Sequence, residues 1–321
     1  MSPVPVIAAE AAEHADFEHT PFHAGELRAH QLAGGGSNGA AIRDYMPEQH
    51  RSFFPLLPYL LASTTDAEGW PSAIMLAGQP GFVSSPDARS LHLAVQPEAF
   101  APYTEQFAIG KAIGLLGLDL STRRRNRANG FIANSDGQGM LVAIEESFGN
   151  CPKYIQLRDV EFISGPRAEP EITHFTRLDQ QAGELIRQAD TLFVATSGGE
   201  GEGTDISHRG GRPGFVRIAS DKDGDTLTIP DFTGNRFFNT LGNMLMDPRA
   251  ALLFVDFSTG DLLHVQGTVE VLWNSEETAG FAGAQRLWQL KVKRIWRKTA
   301  ALPLRWTLRE YAPTTLATGV W

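Results

Sequence analysis

The sequence predicts a mainly β protein made of two similar halves, and three observations lead there. Apolar or alternating runs of strand length recur along most of the chain, helical spacing is confined to short stretches, and one block of residues repeats at a fixed offset. Up to about residue 45 the chain is polar, and "LAGGGSNGAA" has the composition of a flexible link, so residues 1–45 are expected to form a flexible N-terminal arm. A short helix is expected around Pro47–Phe54. The runs "YLLAST", "PSAIML", "SLHLAV", "AIGLLGLDL", "GFIAN" and "MLVAIEE" then read as strands of a first unit, residues 46–170. Asp179 stands before apolar residues at helical spacing and predicts a helix ending near Gln188.

The second unit, residues 171–321, repeats the pattern with "TLFVAT", "GFVRI", "DTLTIP", "ALLFVDF" and "LLHVQGTVEVLW". An amphipathic helix is expected over Asn235–Met246, and "GEGEGTDISHRG" reads as a loop. The likeness of the halves is explicit where "GLLGLDLSTRRRNRANGFIA" lies over "ALLFVDFSTGDLLHVQGTVE". Asp119 falls on Asp256, Ser121 on Ser258, Thr122 on Thr259 and Gly130 on Gly267, every pair 137 residues apart. That period suits a repeated small β domain and is far too long for a solenoid. In the tail "RLWQLKVKRIWRKTAALPLRWTLREYAP", an amphipathic strand or helix laid on the second unit accounts for Trp288 and Trp296 as core. Nucleic-acid stacking is the sharper reading of the same residues.

Charge and cysteine content narrow the function classes. Lys and Arg number 28 against 37 for Asp and Glu, and the net charge of -9 argues against a general binder of nucleic acid or anionic membrane. A single cysteine, Cys151, excludes an intrachain disulfide and a thiolate metal centre within one chain. It precedes a proline without a nearby histidine and reads as a packed small residue. The first thirty residues lack the basic start and apolar core of a signal peptide, and no run reaches membrane-spanning length, so a soluble, cytoplasmic protein is expected. His92 and His264 lie on strand patterns and read as ordinary side chains, and no metal-ligand spacing is present.

The chemistry-bearing stretch is "PDFTGNRFFNTLGNMLMDPR". A helix start offers unpaired N–H groups and partial positive charge, and Arg236 with Asn235 and Asn239 adds donors suited to a phosphate. The plainer alternative is a capped helix whose Asn239 and Asn243 face water. The same half holds Ser207, His208 and Arg209 in a Gly-rich stretch, where a flat polar ligand could approach closely. Arg123, Arg124, Arg125 and Arg127 fit either a solvated basic strand edge or a ligand role, and alternation allows at most two of them to serve one ligand.

"DISHRGGRPGFVRI", "LTIPDFTGNRFFNTLGNMLMDPRAALLFVDF" and "GDLLHVQGTVE" resemble the FMN-binding split barrel of the pyridoxamine-5'-phosphate-oxidase-like superfamily. The likeness covers about Asp190–Trp273 and, through the repeat, extends over Pro58–Asp159, where "RRRNRANG" and "FGNCPKYIQLR" are also similar to family segments. The resemblance implies two tandem split β-barrels forming a pseudo-dimer, with noncovalent FMN between them and flavin-dependent oxidoreductase activity. It implies Ser207 and Arg209 near the flavin, Pro230 and Asp231 ending a strand beside the ring, and Asn235, Arg236, Asn239 and Asn243 around the phosphate. Lys153, Tyr154 and Arg125 of the first half would complete the site. A small-molecule substrate or electron donor such as NAD(P)H or a reductase is implied, with a homodimer as one assembly; the cofactor carries the chemistry and no catalytic side chain is named. The first copy reads "AVQPEAFAPYTEQFAIGKA" where the Gly-Asn-Arg segment would fall, so its own phosphate site is expected to be lost. A non-catalytic carrier or sensor holding FMN or haem on this fold is the alternative.

Overall fold

The computed structural model describes residues 20–95, 103–164 and 168–321. Helices α1 (Ala24–Leu32) and α2 (Glu48–Arg51) precede a first sheet built from β1 (Tyr59–Thr65), β2 (Pro71–Ala77), β3 (Val83–Ser84), β4 (Ser90–Leu93), β5 (Ala112–Asp119), β6 (Arg124–Asp136) and β7 (Gly139–Gly149). After β8 (Leu157–Phe162), β9 (Glu171–Phe175) and α3 (Gln180–Gln188), a second sheet takes β10 (Thr191–Ser197), β11 (Thr204–Gly210), β12 (Arg217–Asp221) and β13 (Gly224–Phe232). Helix α4 (Asn239–Met246), β14 (Arg249–Val255), β15 (Leu262–Leu272), α5 (Glu276–Ala279), β16 (Ala284–Thr299), β17 (Leu304–Glu310) and α6 (Pro313–Leu316) complete the chain. The first sheet runs β2-β1-β5-β6-β7-β4-β3 and the second β11-β10-β14-β15-β16-β13-β12, the same order strand for strand. The fold is mainly β, two antiparallel split barrels in tandem.

Alternation explains why the strands nearest the junction look continuously apolar. On β1, Leu60 and Ala62 point into the first barrel, while Tyr59 and Leu61 point at the second half. On β10, Leu192 and Val194 fill the second barrel, and Phe193 and Ala195 face back across the junction. The molecule therefore has one core per barrel and a third between them, which Leu302, Leu304 and Trp306 of the returning tail help to close. Burial on both faces removes the polar half of the pattern. At the junction Gly114 lies so near the second half that a Cβ there would come within 2.3 Å of the Thr204 carbonyl oxygen.

The repeated residues have shared structural duties. Asp119 accepts hydrogen bonds from the Ser121 amide (2.8 Å) and hydroxyl (2.7 Å), and Asp256 does the same for Ser258 (2.9 and 2.6 Å). Each pins the tight turn of a hairpin. Gly130 and Gly267 sit at equivalent β-bulges, where an added Cβ would lie 1.8 Å and 2.3 Å from a carbonyl of the neighbouring strand.

Four expectations are corrected. "TDISHRG" is strand β11, paired with β10, and not a loop; its polar residues face a ligand-sized cavity, so it lacks an apolar alternation. "GFVRI" is largely the turn before β12. The helix expected from Asn235 starts only at Asn239, because Arg236 (φ 60°) and Phe238 (φ 64°) are left-handed and interrupt helical hydrogen bonding. Within the supposed flexible arm, residues 24–32 form α1, which a His23–Glu26 capping box starts and which packs on α4. Residues 1–19 of that arm, and residues 96–102 of the first-copy segment, lie outside the described residues. Trp288 and Trp296 are buried, on β16, an integral strand of the second barrel. Among the described residues no helix is long and apolar enough to cross a membrane.

Candidate functional site

A cavity of about 400 Å³ opens between the halves, within the size range of small-molecule sites. The first half contributes Arg125 and Arg127 from β6 and Asn150, Lys153 and Tyr154 from the segment after β7. The second half contributes Ser207, His208 and Arg209 from β11, Pro230–Phe232 from the end of β13, the loop 233–238, Asn239–Leu241 from α4, and Gln285 and Arg286 from β16. Ala33 of the N-terminal segment closes one edge.

The walls are fixed by specific contacts. Gly210 ends β11 against the first half: a Cβ there would lie 1.9 Å from the Tyr154 carbonyl oxygen. Tyr154 is itself left-handed (φ 64°), its amide donating to Thr314 Oγ1 (3.1 Å) and its ring set against Phe232 with centroids 5.1 Å apart. Left-handed backbone at non-glycine residues costs free energy, and here Tyr154, Arg236 and Phe238 all border the cavity. Arg127 crosses the junction to pair with Asp205, whose other oxygen accepts from Asn243 Nδ2 (2.8 Å), and it donates to Ser207 Oγ (2.5 Å).

Positive charge dominates. Arg125, Lys153, Arg209, Arg236 and Arg286 face the cavity, while the carboxylate on its wall is Asp231, which accepts from Arg209 Nη1 (2.8 Å) and Arg286 Nη1 (3.1 Å). Burial, with Arg209 and Arg127 nearby, lowers Arg125 to about 10, so it stays cationic at neutral pH. Burial, then the neighbouring Arg125 and Arg209, holds His208 well below its usual range and keeps it neutral. Arg209 Nε, Arg127 Nε and His208 Nε2 are buried without a hydrogen-bond partner, an arrangement that suits a polar, anionic ligand.

Of the residues nominated from sequence, the structure gathers Ser207, Arg209, Pro230, Asp231, Asn235, Arg236, Asn239, Lys153, Tyr154 and Arg125 around this one cavity. Asn243 is not on the wall; it is buried, bonded to Thr196 Oγ1 (3.1 Å), Asp205 and His23 Nε2 (2.7 Å), and so braces α4 from behind. Arg123 turns away to Glu310, and Arg124 lies over Phe53. Sequence reading missed Arg286 and Gln285, on a strand it took for a covering tail, and Phe238. Arg286 is held between Phe238 and Trp273, 5.1 Å and 5.0 Å from the ring centroids.

Fold and site together define a protein of paired split barrels with one cationic, composite cavity. Residues 178–301 match the family model described as pyridoxamine 5'-phosphate oxidase. That match lies in the second barrel, which is thereby similar to the pyridoxamine-5'-phosphate-oxidase-like split-barrel superfamily. No curated protein matches it. Similar solved structures include HupZ of Group A Streptococcus, 16% identical over 37% of this chain and 98% of that one, with a TM-score of 0.29. HutZ, a heme storage protein from Vibrio cholerae, is 12% identical over 37% of this chain and 93% of its own, at 0.26. A FAD-binding protein from Mesorhizobium loti is 11% identical over 40% and 98%, at 0.25. At these TM-scores none of them bears on what the present cavity holds.

Proposed function

We propose that the chain binds one FMN noncovalently in this cavity and acts as a flavin-dependent oxidoreductase on a small-molecule substrate or electron donor such as NAD(P)H. The observation that carries the reading is the convergence of both halves on one cavity with five unmatched or partly matched cations around a single carboxylate. Arg236, Asn235 and Asn239 would hold the phosphate, with Arg236 as a forked, permanently charged donor. Ser207, Arg209, Pro230, Asp231, Arg125, Lys153 and Tyr154 would line the rest. Bound FMN would supply the hydride or electron chemistry. Arg125, cationic and poor in water, would offset negative charge gained by a ligand beside it. A cytoplasmic, non-nucleic-acid setting agrees with the net charge of -9 and the single cysteine.

A non-catalytic carrier of FMN or haem is the second reading, favoured by neutral, buried His208 on the cavity wall. Haem fits less well, because Arg125 Nη1 lies 3.4 Å from His208 Nδ1 as a donor. That bond puts the ring proton on Nε2 and leaves no lone pair there for iron. Reconstitution with FMN and with haemin, followed by anaerobic NADH or NADPH, separates the cases. A flavin spectrum that bleaches and returns with air supports the enzyme; a stable flavin that no donor reduces supports a carrier; a Soret band alone overturns both FMN readings.

A further inference from the structure

Arg236 does not stand free at the edge of the cavity. Its Nη2 donates to the Gly35 carbonyl (2.5 Å), and its own carbonyl accepts from the Ser37 amide (3.1 Å). His30 Nε2 meets the Phe237 carbonyl (3.1 Å), and the rings of Phe22 and Phe148 pack on Phe237 with centroids 6.0 and 5.2 Å away. Thus the left-handed residues Arg236 and Phe238 are flanked by contacts from residues 22–37. Behind them Glu26 Oε1 accepts from Asn239 Nδ2 (2.5 Å), and His23 Nε2 meets Asn243 Oδ1 (2.7 Å). The two helices touch through glycines. A Cβ on Gly25 would lie 2.3 Å from the Gly242 carbonyl, and one on Gly242 would lie 2.6 Å from Glu26 Cγ.

From these contacts we infer that residues 22–37 are a strap belonging to the binding site, which presets the 234–239 loop for an anion and makes affinity for a phosphorylated ligand depend on residues outside the cavity. Glu26, His23 and Gly25 are then positioning residues. None of the three lines the cavity. Strained backbone persists only where surrounding contacts over-determine it, and here the strap supplies those contacts. With it displaced, the loop relaxes and the phosphate subsite loses its pre-organisation, while the part of the cavity built from β11 and β13 is untouched. The inference rests on the anion-binding reading of the cavity, though not on the flavin itself.

Gly25→Leu wedges α1 off α4, and Glu26→Ala removes the bond to Asn239; neither alters a cavity residue. Each variant and the wild type are titrated with FMN, riboflavin and pyrophosphate, and hydrogen exchange is followed over residues 24–32 and 234–242. The strap predicts faster exchange in both segments, at least tenfold weaker FMN and pyrophosphate binding, and less than twofold change for riboflavin. Unchanged FMN and pyrophosphate affinity with exchange raised over 24–32 overturns it, as does an equal loss for FMN and riboflavin. If the wild type binds pyrophosphate but neither flavin, the flavin reading fails, and the strap is judged on pyrophosphate alone. A wild type that binds no pyrophosphate overturns the strap.

Discussion

The two barrels place the same ladder position at two junction sites, and the residues there differ. Arg127 on β6 pairs in register with Phe148 on β7, and at the repeated position His264 on β15 pairs with Trp296 on β16. Arg127 of the first pair borders the cavity. Arg127 is matched by Asp205 and Ser207, and its guanidinium lies 5.3 Å from the Phe148 ring centroid. At the second, His264 stacks on Trp296 with centroids 4.9 Å apart and planes 8° from parallel, and Trp296 Nε1 donates to Tyr103 Oη (2.5 Å). Burial, aided by Lys298, lowers His264 to about 3, so the ring is neutral. A buried cation recruits a carboxylate and a polar network, which leave donors for an anion; neutral rings recruit one another and fill the space. One fold repeated thus yields a cationic cavity once and an aromatic plug once.

The sharpest way to break the comparison is to remove the cation. Arg127→Leu leaves Asp205 buried without its partner, and loss of one member of a buried pair costs about 3–5 kcal/mol. Urea unfolding should show that loss, and Arg127→Leu with Asp205→Leu should recover part of it. At the aromatic site, Trp296→Ala should also cost about 3–5 kcal/mol by opening a cavity, yet leave FMN affinity within twofold. A large affinity loss there would mean that the two sites are not independent. Arg236→Ala should weaken FMN by about ten- to a hundredfold, since charge-assisted bonds contribute about 1.5–3 kcal/mol, with riboflavin hardly affected in parallel titrations.

A separate effect concerns the strap and pH. Burial, then Asp205 and Glu146, raises Glu26 to about 8 from 4.5, while His23 and Asn239 bond its carboxyl. Glu146, beside Arg127 and Asn129, is itself raised to about 7 by burial and Asp205. A carboxyl raised in the folded state binds its proton more tightly there, so its contribution is full below 4.5 and is lost as pH rises towards 8. Glu26→Gln mimics the neutral acid. Its stability relative to wild type should rise between pH 5 and pH 8 and then level; a flat difference would show that Glu26 titrates normally.

Much of this was legible from alternation and from the repeat. Strand runs with one face in a barrel and one at the junction are apolar throughout, and Asp179 and the turn aspartates act locally, so both announce themselves in sequence. Strand β11 did not, because Ser207 and Arg209 serve the cavity and replace its apolar residues. A signal was nevertheless present: "GQPGFV" at 78–83 repeats as "GRPGFV" at 211–216, which sets "TDISHRG" opposite "PSAIMLA" and requires a strand. The left-handed Arg236 and Phe238 were not legible, since only contacts from residues far along the chain hold them. Arg286 stayed hidden for a related reason: its role depends on which strand of the second barrel β16 becomes.

The central claim is that only one of the two repeated junction sites takes a flavin. It is tested most directly by saturating the intact chain with FMN, removing unbound ligand, and quantifying the flavin released on denaturation against protein concentration. The comparison predicts one FMN per chain. Two per chain would contradict the aromatic plug at His264 and Trp296, and none would contradict the flavin reading of the cationic cavity.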